Sequence, residues 1–150
     1  MRMLTTRPMP STLGNERGAA VIEFALVAPL LLILVFGIID LGRAYSTLNQ
    51  LAASAREGAR FAAVLPNPSS HAAEGQIRQT VKQFSLRQLG GSPVRDDQIA
   101  VALDRNGGTV TVAIRDYPFQ LVTPLVGTVG LRTIPITRQA TFRWERAAIP

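Results

Sequence analysis

The sequence predicts an α+β protein in which a long N-terminal transmembrane helix extends into a small domain with a short helix and about three antiparallel strands. An apolar run near the N-terminus predicts the membrane-spanning part, and apolar residues three and four apart predict that the helix continues beyond it. Alternating apolar residues after residue 98 predict the strands. These signals divide the 150 residues into a cytoplasmic leader at 1–18, the helix at 19–64 and an extracytoplasmic domain at 65–150.

The apolar run is long enough to cross a lipid bilayer. From Val21 to Ile39, fourteen of nineteen residues are Val, Ile, Leu or Phe. Together these fourteen side chains favour insertion by roughly 4–8 kcal/mol. Glu23 is the only charge in this stretch, and a carboxylate costs about 3 kcal/mol at the bilayer centre and less near its edge. The balance favours insertion, and the span from Ala19 to Ile39 measures about 30 Å.

Two other interpretations of the run fit less well. A cleaved secretory signal has a shorter apolar core and a small-residue cleavage site, and no such site follows Phe36 closely. A buried core helix would need a larger domain to cover it on all sides. Three Arg against one Glu within residues 1–18 favour a cytoplasmic N-terminus, with the domain across the membrane.

An alternating four-three pattern predicts that the helix continues to about Val64, before Pro66. The residues of this stripe are Leu41, Tyr45, Leu48, Ala52, Ala55, Ala59 and Ala62, and the opposite face carries Arg43, Gln50 and Glu57. Because most of the stripe is Ala, it permits close contact with another element. Two alternatives stay open, a contact with the domain of the same chain and a contact with another helix, of which the first is the commoner.

The domain carries signals for a linker, a second helix and a β-hairpin. Pro66-Asn-Pro-Ser-Ser is typical of a linker. A short amphipathic helix closed by Gly90-Gly91 is indicated by Ile77, Val81, Phe84 and Leu89. The hairpin has its turn at Asn106-Gly107-Gly108 and its alternating apolar positions at Ile99, Val101, Leu103, Val110, Val112 and Ile114.

The last third of the chain is predicted to be less regular. Asp116-Tyr-Pro-Phe interrupts the alternation, and residues Gln120 to Leu131 predict an irregular or partly helical connection with an exposed apolar patch. Thr133 to Trp144 predicts a third strand, and Pro135 favours a place at the sheet edge.

Composition and motifs argue against nucleic-acid binding, metal binding and catalysis. The net charge is +6, but the basic residues are spread singly along the chain. The chain has no Cys, and its single His71 is predicted to lie in a solvated loop. Asp96-Asp97 predicts a turn or a helix cap, because no further ligand lies at a suitable spacing. We therefore predict no catalytic residue, no cofactor and no metal site.

The membrane segment carries a specific motif. Gly18 is followed, after four residues, by Glu23-Phe24 at the head of the apolar helix, and Glu57-Gly-Ala-Arg lies downstream. From about Gly18 to Arg60 the sequence resembles the TadE-like pseudopilin family of tight-adherence (Flp-type) pilus systems. A long helix with a small antiparallel sheet at its outer end is also the general build of pilins and pseudopilins.

This resemblance implies a processing step and a set of partners. A prepilin peptidase is expected to cut after Gly18, which releases residues 1–18 and leaves Ala19 as the new N-terminus. Glu23 then occupies the fifth mature position and Phe24 the sixth. The implied partners are the peptidase, other pilin or pseudopilin subunits, the pilus assembly platform and the lipid bilayer. The implied location is the inner membrane of a bacterium.

Glu23 has two interpretations. In one, it pairs with the N-terminal amine of a neighbouring subunit and sets axial register during assembly, as the resemblance implies. In the other, it only reaches toward the interface as an acidic residue favoured at a helix start. The resemblance favours the first.

Two functions follow. The leading hypothesis is a minor pseudopilin, processed after Gly18, that helps to initiate or anchor a secretion-type pilus. The alternative is an unprocessed single-pass scaffold or adhesion protein whose outer domain binds an envelope partner.

Overall fold

The protein folds into one long helix against which a second helix and a three-stranded sheet pack. The structure is a computed structural model that describes residues 13–89, 93–123, 130 and 133–144. The helices are α1 (Leu13–Ala63) and α2 (His71–Gln88), and a single 3-10 turn spans Asp96–Gln98. The strands are β1 (Ile99–Asp104), β2 (Thr109–Gln120) and β3 (Thr133–Arg143), in the sheet order β1-β2-β3. The predicted α+β architecture is confirmed.

Helix α1 runs without interruption for 51 residues, about 76 Å. It continues through Pro29 and ends at Ala63, one residue before the predicted end. Its first described residue, Leu13, lies within the predicted leader, six residues before Ala19. The predicted membrane segment and its extension therefore lie on one continuous helix.

Helix α2 begins earlier than its apolar pattern predicts. The Ser70 side chain accepts a hydrogen bond from the backbone N–H of Ala73 at 3.3 Å, which satisfies one of the free donors of the first turn. The linker prediction at Pro66-Asn-Pro-Ser-Ser is confirmed. His71, however, is the first residue of α2 and not a loop residue, because the Ser70 cap starts the helix one residue before it. The predicted closure at Gly90-Gly91 lies outside the described residues.

The predicted hairpin is confirmed in its position and its turn. Ile99 pairs with Ile114, Val101 with Val112, and Leu103 with Val110, so the apolar side chains share one face. In the turn, the Asp104 carboxylate accepts hydrogen bonds from the backbone N–H groups of Asn106 and Gly107, each at 3.0 Å. Gly108 has a φ of 60°, a conformation that glycine adopts without steric cost.

The interruption predicted at Asp116-Tyr-Pro-Phe is wrong, because β2 continues to Gln120 through a β-bulge. Ile114 pairs with Arg138 and Tyr117 with Ile136, so two residues of β2 oppose one residue of β3. Asp116 has a φ of 51°, a left-handed conformation that Asp tolerates better than most residues. The extra residue reverses the alternation, so Tyr117 and Phe119 face the core where Asp116 and Pro118 otherwise would.

The third strand is confirmed, and it forms an edge as Pro135 predicts. Pro118 pairs with Pro135 beyond the first residue of β1, since Ile99 pairs with Ile114. Neither proline therefore removes a hydrogen bond from a strand paired on both sides. At the other end of β3, the Trp144 indole donates a hydrogen bond to the Leu65 carbonyl at 2.9 Å. This bond ties the end of β3 to the far end of α1. Of the apolar connection predicted from Gln120 to Leu131, residues 121–123 form an irregular segment, and 124–129 and 131 lie outside the described residues.

The core lies between the second half of α1, the inner side of α2 and one face of the sheet. Its fully buried members are Leu51, Ala55, Ala59, Ala62, Ile77, Val81, Val94, Val110, Val112 and Ile114. The sheet runs along α1, with the start of β2 near Leu65 and its end near Asp40. The domain therefore lies beside the second half of the helix and leaves the first half uncovered.

Candidate membrane-anchoring and processing segment

The first half of α1 is apolar and uncovered. Apart from the partly buried Phe36, its large apolar side chains between Val21 and Ile39 are from 40% to 74% exposed. The helix from Gly18 onward is long and apolar enough to cross a membrane, and its most apolar 18-residue window is uncovered by the rest of the described chain. Because exposing so many apolar side chains to water is unfavourable, a surface of this kind is consistent with a membrane anchor.

The four residues of the predicted processing motif lie together at the start of this apolar stretch. Gly18, Ala19, Glu23 and Phe24 are all exposed on α1. A methyl group added to Gly18 would meet no atom of the described residues within 4 Å. Ala19 and Glu23 are four residues apart and therefore lie on the same face of the helix. The motif is sterically open. Gly18 is helical, however, whereas the predicted cut needs backbone that a peptidase can reach.

Asp40, the first residue beyond the apolar stretch, is buried and joins the helix to the domain. Its carboxylate accepts hydrogen bonds from the backbone N–H of Val122 at 2.9 Å and of Thr123 at 2.9 Å. It also accepts one from the Thr123 hydroxyl. A buried carboxylate is stable only when its oxygens are well satisfied, and these donors meet that need. The end of β2 is thereby held at the exit of the apolar stretch.

Arg43 strengthens the same junction. Its guanidinium donates to Asp40 at 3.2 Å and to the Gln120 carbonyl at 3.3 Å. It also lies over the Phe119 ring, 5.4 Å from the ring centre, at a distance typical of cation–π contacts. We call Asp40, Arg43, Val122 and Thr123 the junction cluster.

Further along α1, Gly58 permits the close approach of α2. A Cβ added to Gly58 would lie 2.3 Å from Cγ2 of Val81, a distance that a real side chain cannot adopt. Beside it, Glu57 and Arg60 form a salt bridge with an N–O distance of 2.8 Å on the outer surface. Within the Glu57-Gly-Ala-Arg motif, Gly58 and Ala59 face the core and the two charged residues face outward.

Residues 18–60 match the family model described as TadE-like protein. The match covers less than a third of the chain and coincides with the Gly18–Arg60 range over which the resemblance was predicted. It spans the processing motif, the apolar stretch, the helix side of the junction cluster and the Gly58 contact. Neither curated proteins nor solved structures give a match to this chain.

The buried face of the TadE-like segment is rotated from the predicted stripe. Ala55, Ala59 and Ala62 are fully buried against the domain of the same chain. Leu41 and Tyr45 are 72% and 67% exposed, so at these two residues the stripe does not contact the domain of the same chain. The observed four-three pattern begins three residues later than the predicted one and runs through Ala44, Leu48, Leu51, Ala55, Gly58 and Ala62.

The opposite face was also predicted incorrectly at one position. Arg43 faces the domain rather than away from it, because Asp40 and the end of β2 lie on its side of the helix. The sequence pattern predicts no role for Asp40. A signal is present, since a lone acid directly after an apolar span needs a polar partner, but apart from Arg43 its partners are groups of Val122 and Thr123, more than 80 residues away.

Asp96 and Asp97 lie in the 3-10 turn before β1, as the turn prediction requires. Asp96 pairs with Lys82 at 3.0 Å and Asp97 with Arg95 at 3.1 Å. The hydrogen bond from Arg95 lowers the pKa of the Asp97 carboxyl from its ordinary value. Across the described ranges, no three His, Cys, Asp or Glu side chains are grouped closely enough to hold a metal ion.

Proposed function

We propose that this chain is a TadE-like minor pseudopilin of a tight-adherence (Flp-type) pilus or secretion system. The observation that carries the proposal is the match of residues 18–60 to the TadE-like family, on a helix whose apolar first half is uncovered. In this role the helix anchors the subunit in a bacterial inner membrane, and the domain takes part in pilus initiation or anchoring.

The proposed orientation places the N-terminus in the cytoplasm and the domain across the membrane. Support comes from the excess of Arg over Glu within residues 1–18. Alkaline phosphatase fused after residue 144 is active only outside the cytoplasm, so an active fusion would support this orientation. An inactive fusion that is expressed and membrane-bound would contradict it.

We further propose that a prepilin peptidase cuts after Gly18. The exposed motif and the open side of Gly18 support this step. Because Gly weakens a helix by about 1 kcal/mol relative to Ala, local unwinding at the cut is easier with Gly there. Cleavage creates an ammonium group at Ala19, and Glu23 on the same helix face offers a carboxylate at the membrane edge.

The test of processing is the intact mass of the protein after co-expression with a prepilin peptidase. Loss of residues 1–18 is expected for the wild type, and Gly18→Ala is expected to slow it. Gly37→Ala is the matched control, because Gly37 also lies exposed on α1 and an added methyl would meet no described atom within 4 Å. A wild-type mass that retains residues 1–18 beside an active peptidase contradicts the processing claim.

A second candidate is an unprocessed single-pass scaffold or adhesion protein. The observation in its favour is that α1 begins at Leu13 and passes through Gly18, so the proposed cut lies within a helix that must first unwind. The two candidates differ in their N-terminus and in assembly. The scaffold keeps residues 1–18 and stays out of purified filaments, whereas the pseudopilin loses them and is found there or at the assembly platform.

A further inference from the structure

Four exposed apolar side chains surround the point where α1 leaves its apolar stretch. Leu41 and Tyr45 lie on α1, Val122 follows β2, and Ile134 lies near the start of β3. Their exposed fractions are 72%, 67%, 50% and 46%. We call these four residues the collar.

The junction cluster fixes the height of the collar along the helix. Val122 donates its backbone N–H to Asp40, the residue after Ile39, so it lies level with the end of the apolar stretch. Ile134 pairs with Phe119, whose ring lies beneath the Arg43 guanidinium. Val122 and Ile134 therefore lie at the same level as Leu41 and Tyr45.

This level coincides with the headgroup layer of a bilayer that contains residues 19–39. Along the axis, Leu41 lies about 3 Å beyond Ile39, within this layer, and Tyr45 lies about 9 Å beyond it, at the outer edge of the layer. Each headgroup layer is about 5–8 Å thick. Tyr is enriched at this depth because its ring is apolar and its hydroxyl is polar.

The acidic charge near the collar is directed inward. Asp40 is 5% exposed and satisfied by Val122, Thr123 and Arg43, so it presents no unpaired carboxylate to lipid. An exposed carboxylate at this position would oppose contact with lipid tails. The junction cluster thus removes the one acidic group that stands between the apolar stretch and the collar.

We infer that the collar is a lipid-contacting surface that seats the domain in the headgroup layer of the outer leaflet. This inference rests on the proposed membrane anchoring of α1. Lipid is the occupant because the collar is continuous with the apolar surface of the span, with Leu41 only two residues beyond Ile39. The collar holds the domain against the bilayer, so that the helix and the domain move together.

The test uses single-cysteine variants of the full chain, which has no cysteine of its own. Each variant carries an environment-sensitive fluorophore and is reconstituted at low protein density into phosphatidylglycerol/phosphatidylethanolamine vesicles. The collar variants are L41C, Y45C, V122C and I134C. The comparison variants are I33C in the apolar stretch, L86C on α2 and V64C just after α1. Leu86 and Val64 are exposed to a similar extent as the collar residues. Nitroxide lipids quench by depth, and iodide quenches from water.

Collar labels are expected to be quenched by shallow nitroxide lipids and to be several-fold less accessible to iodide than the labels at Leu86 and Val64. The label at Ile33 is expected to respond to deep nitroxides. Val64 lies about 36 Å beyond Asp40 along α1 and provides the aqueous reference.

Three results would overturn the inference. Collar labels as accessible to iodide as Val64, together with a deep Ile33 label, leave the anchor in place and refute only the collar. Collar labels protected from both quenchers indicate that protein rather than lipid covers them. An Ile33 label accessible to iodide refutes the membrane anchor itself, and the collar with it.

Discussion

Gly58 lies so close to Val81 that a single methyl group would not fit between the two helices. The Cβ of any other residue at position 58 would lie 2.3 Å from Val81 Cγ2 and 3.4 Å from Val112 Cγ1. Val81 and Val112 are both fully buried, and the close packing of protein cores leaves little room for such side chains to shift. This contact sets the distance between α1 and α2 over the sheet.

Gly58→Ala is therefore expected to destabilise the domain by about 1–3 kcal/mol, the usual cost of overpacking a core. The measurement is chemical denaturation of the full chain in detergent, followed by circular dichroism. Gly75→Ala on α2 is the matched control, because an added methyl there meets no atom of the described chain within 4 Å. Gly75→Ala is expected to be neutral or to stabilise by up to about 1 kcal/mol through helix propensity. Equal midpoints for the two variants would contradict the close contact.

Removal of the Asp40 carboxylate is expected to loosen the end of β2. Asp40→Ala leaves the backbone N–H groups of Val122 and Thr123 without their acceptor and costs about 2–4 kcal/mol. Asp40→Asn retains one acceptor oxygen and is expected to lie between Ala and the wild type. The measurement is hydrogen exchange at the amides of residues 122 and 123, together with the unfolding midpoint.

The control for Asp40 is Asp97→Asn, which removes an exposed carboxylate paired with Arg95. It is expected to leave the unfolding midpoint nearly unchanged, because exposed ion pairs contribute little. Unchanged exchange at residues 122 and 123 in Asp40→Ala would show that the junction cluster does not hold the end of β2.

The sequence predicted those features that depend on local pattern. The apolar span, the hairpin with its turn at residues 106–108 and the edge position of β3 all follow from residue periodicity and turn chemistry. The buried face of α1 was partly missed, because Leu41 and Tyr45 extend an apolar pattern that the domain does not cover.

Features that depend on long-range pairing were not predicted. The bulge at Asp116 is defined by the pairing of β2 with β3, which the local sequence does not reveal. Its effect is to keep Tyr117 and Phe119 on the core face. Asp40 has no local partner apart from Arg43, and its main donors come from residues 122 and 123. Local sequence pattern does not predict which of these distant residues contact each other.

Trp144 is expected to stabilise the far end of the domain through its indole N–H. Trp144→Phe keeps an aromatic ring but removes the 2.9 Å hydrogen bond to the Leu65 carbonyl, at a cost of about 0.5–1.5 kcal/mol. Trp144→Ala also removes the ring and is expected to cost more. Because Trp144 is the only Trp of the chain, both variants lose the Trp fluorescence signal. Their unfolding is therefore followed by circular dichroism. Wild-type stability in Trp144→Phe would mean that the hydrogen bond contributes nothing.

Glu23 is expected to act in assembly and not in cleavage. Glu23→Ala and Glu23→Gln both remove a charge that is costly near lipid, so each variant is expected to insert at least as well as the wild type. Neither can pair with the ammonium group that cleavage creates at Ala19. We therefore expect normal loss of residues 1–18, measured by intact mass, and a strong loss of pilus assembly, measured by the yield of sheared filaments.

The matched control is Val27→Ala, which changes an exposed apolar residue one turn further along the same helix without altering its charge. It is expected to be processed and assembled like the wild type. If Glu23→Ala gave a wild-type filament yield, the carboxylate would have no part in assembly and would act only as an acidic residue near the helix start. If Glu23→Gln blocked cleavage instead, the carboxylate would belong to recognition by the peptidase, since the glutamine side chain has nearly the same shape and lacks only the charge.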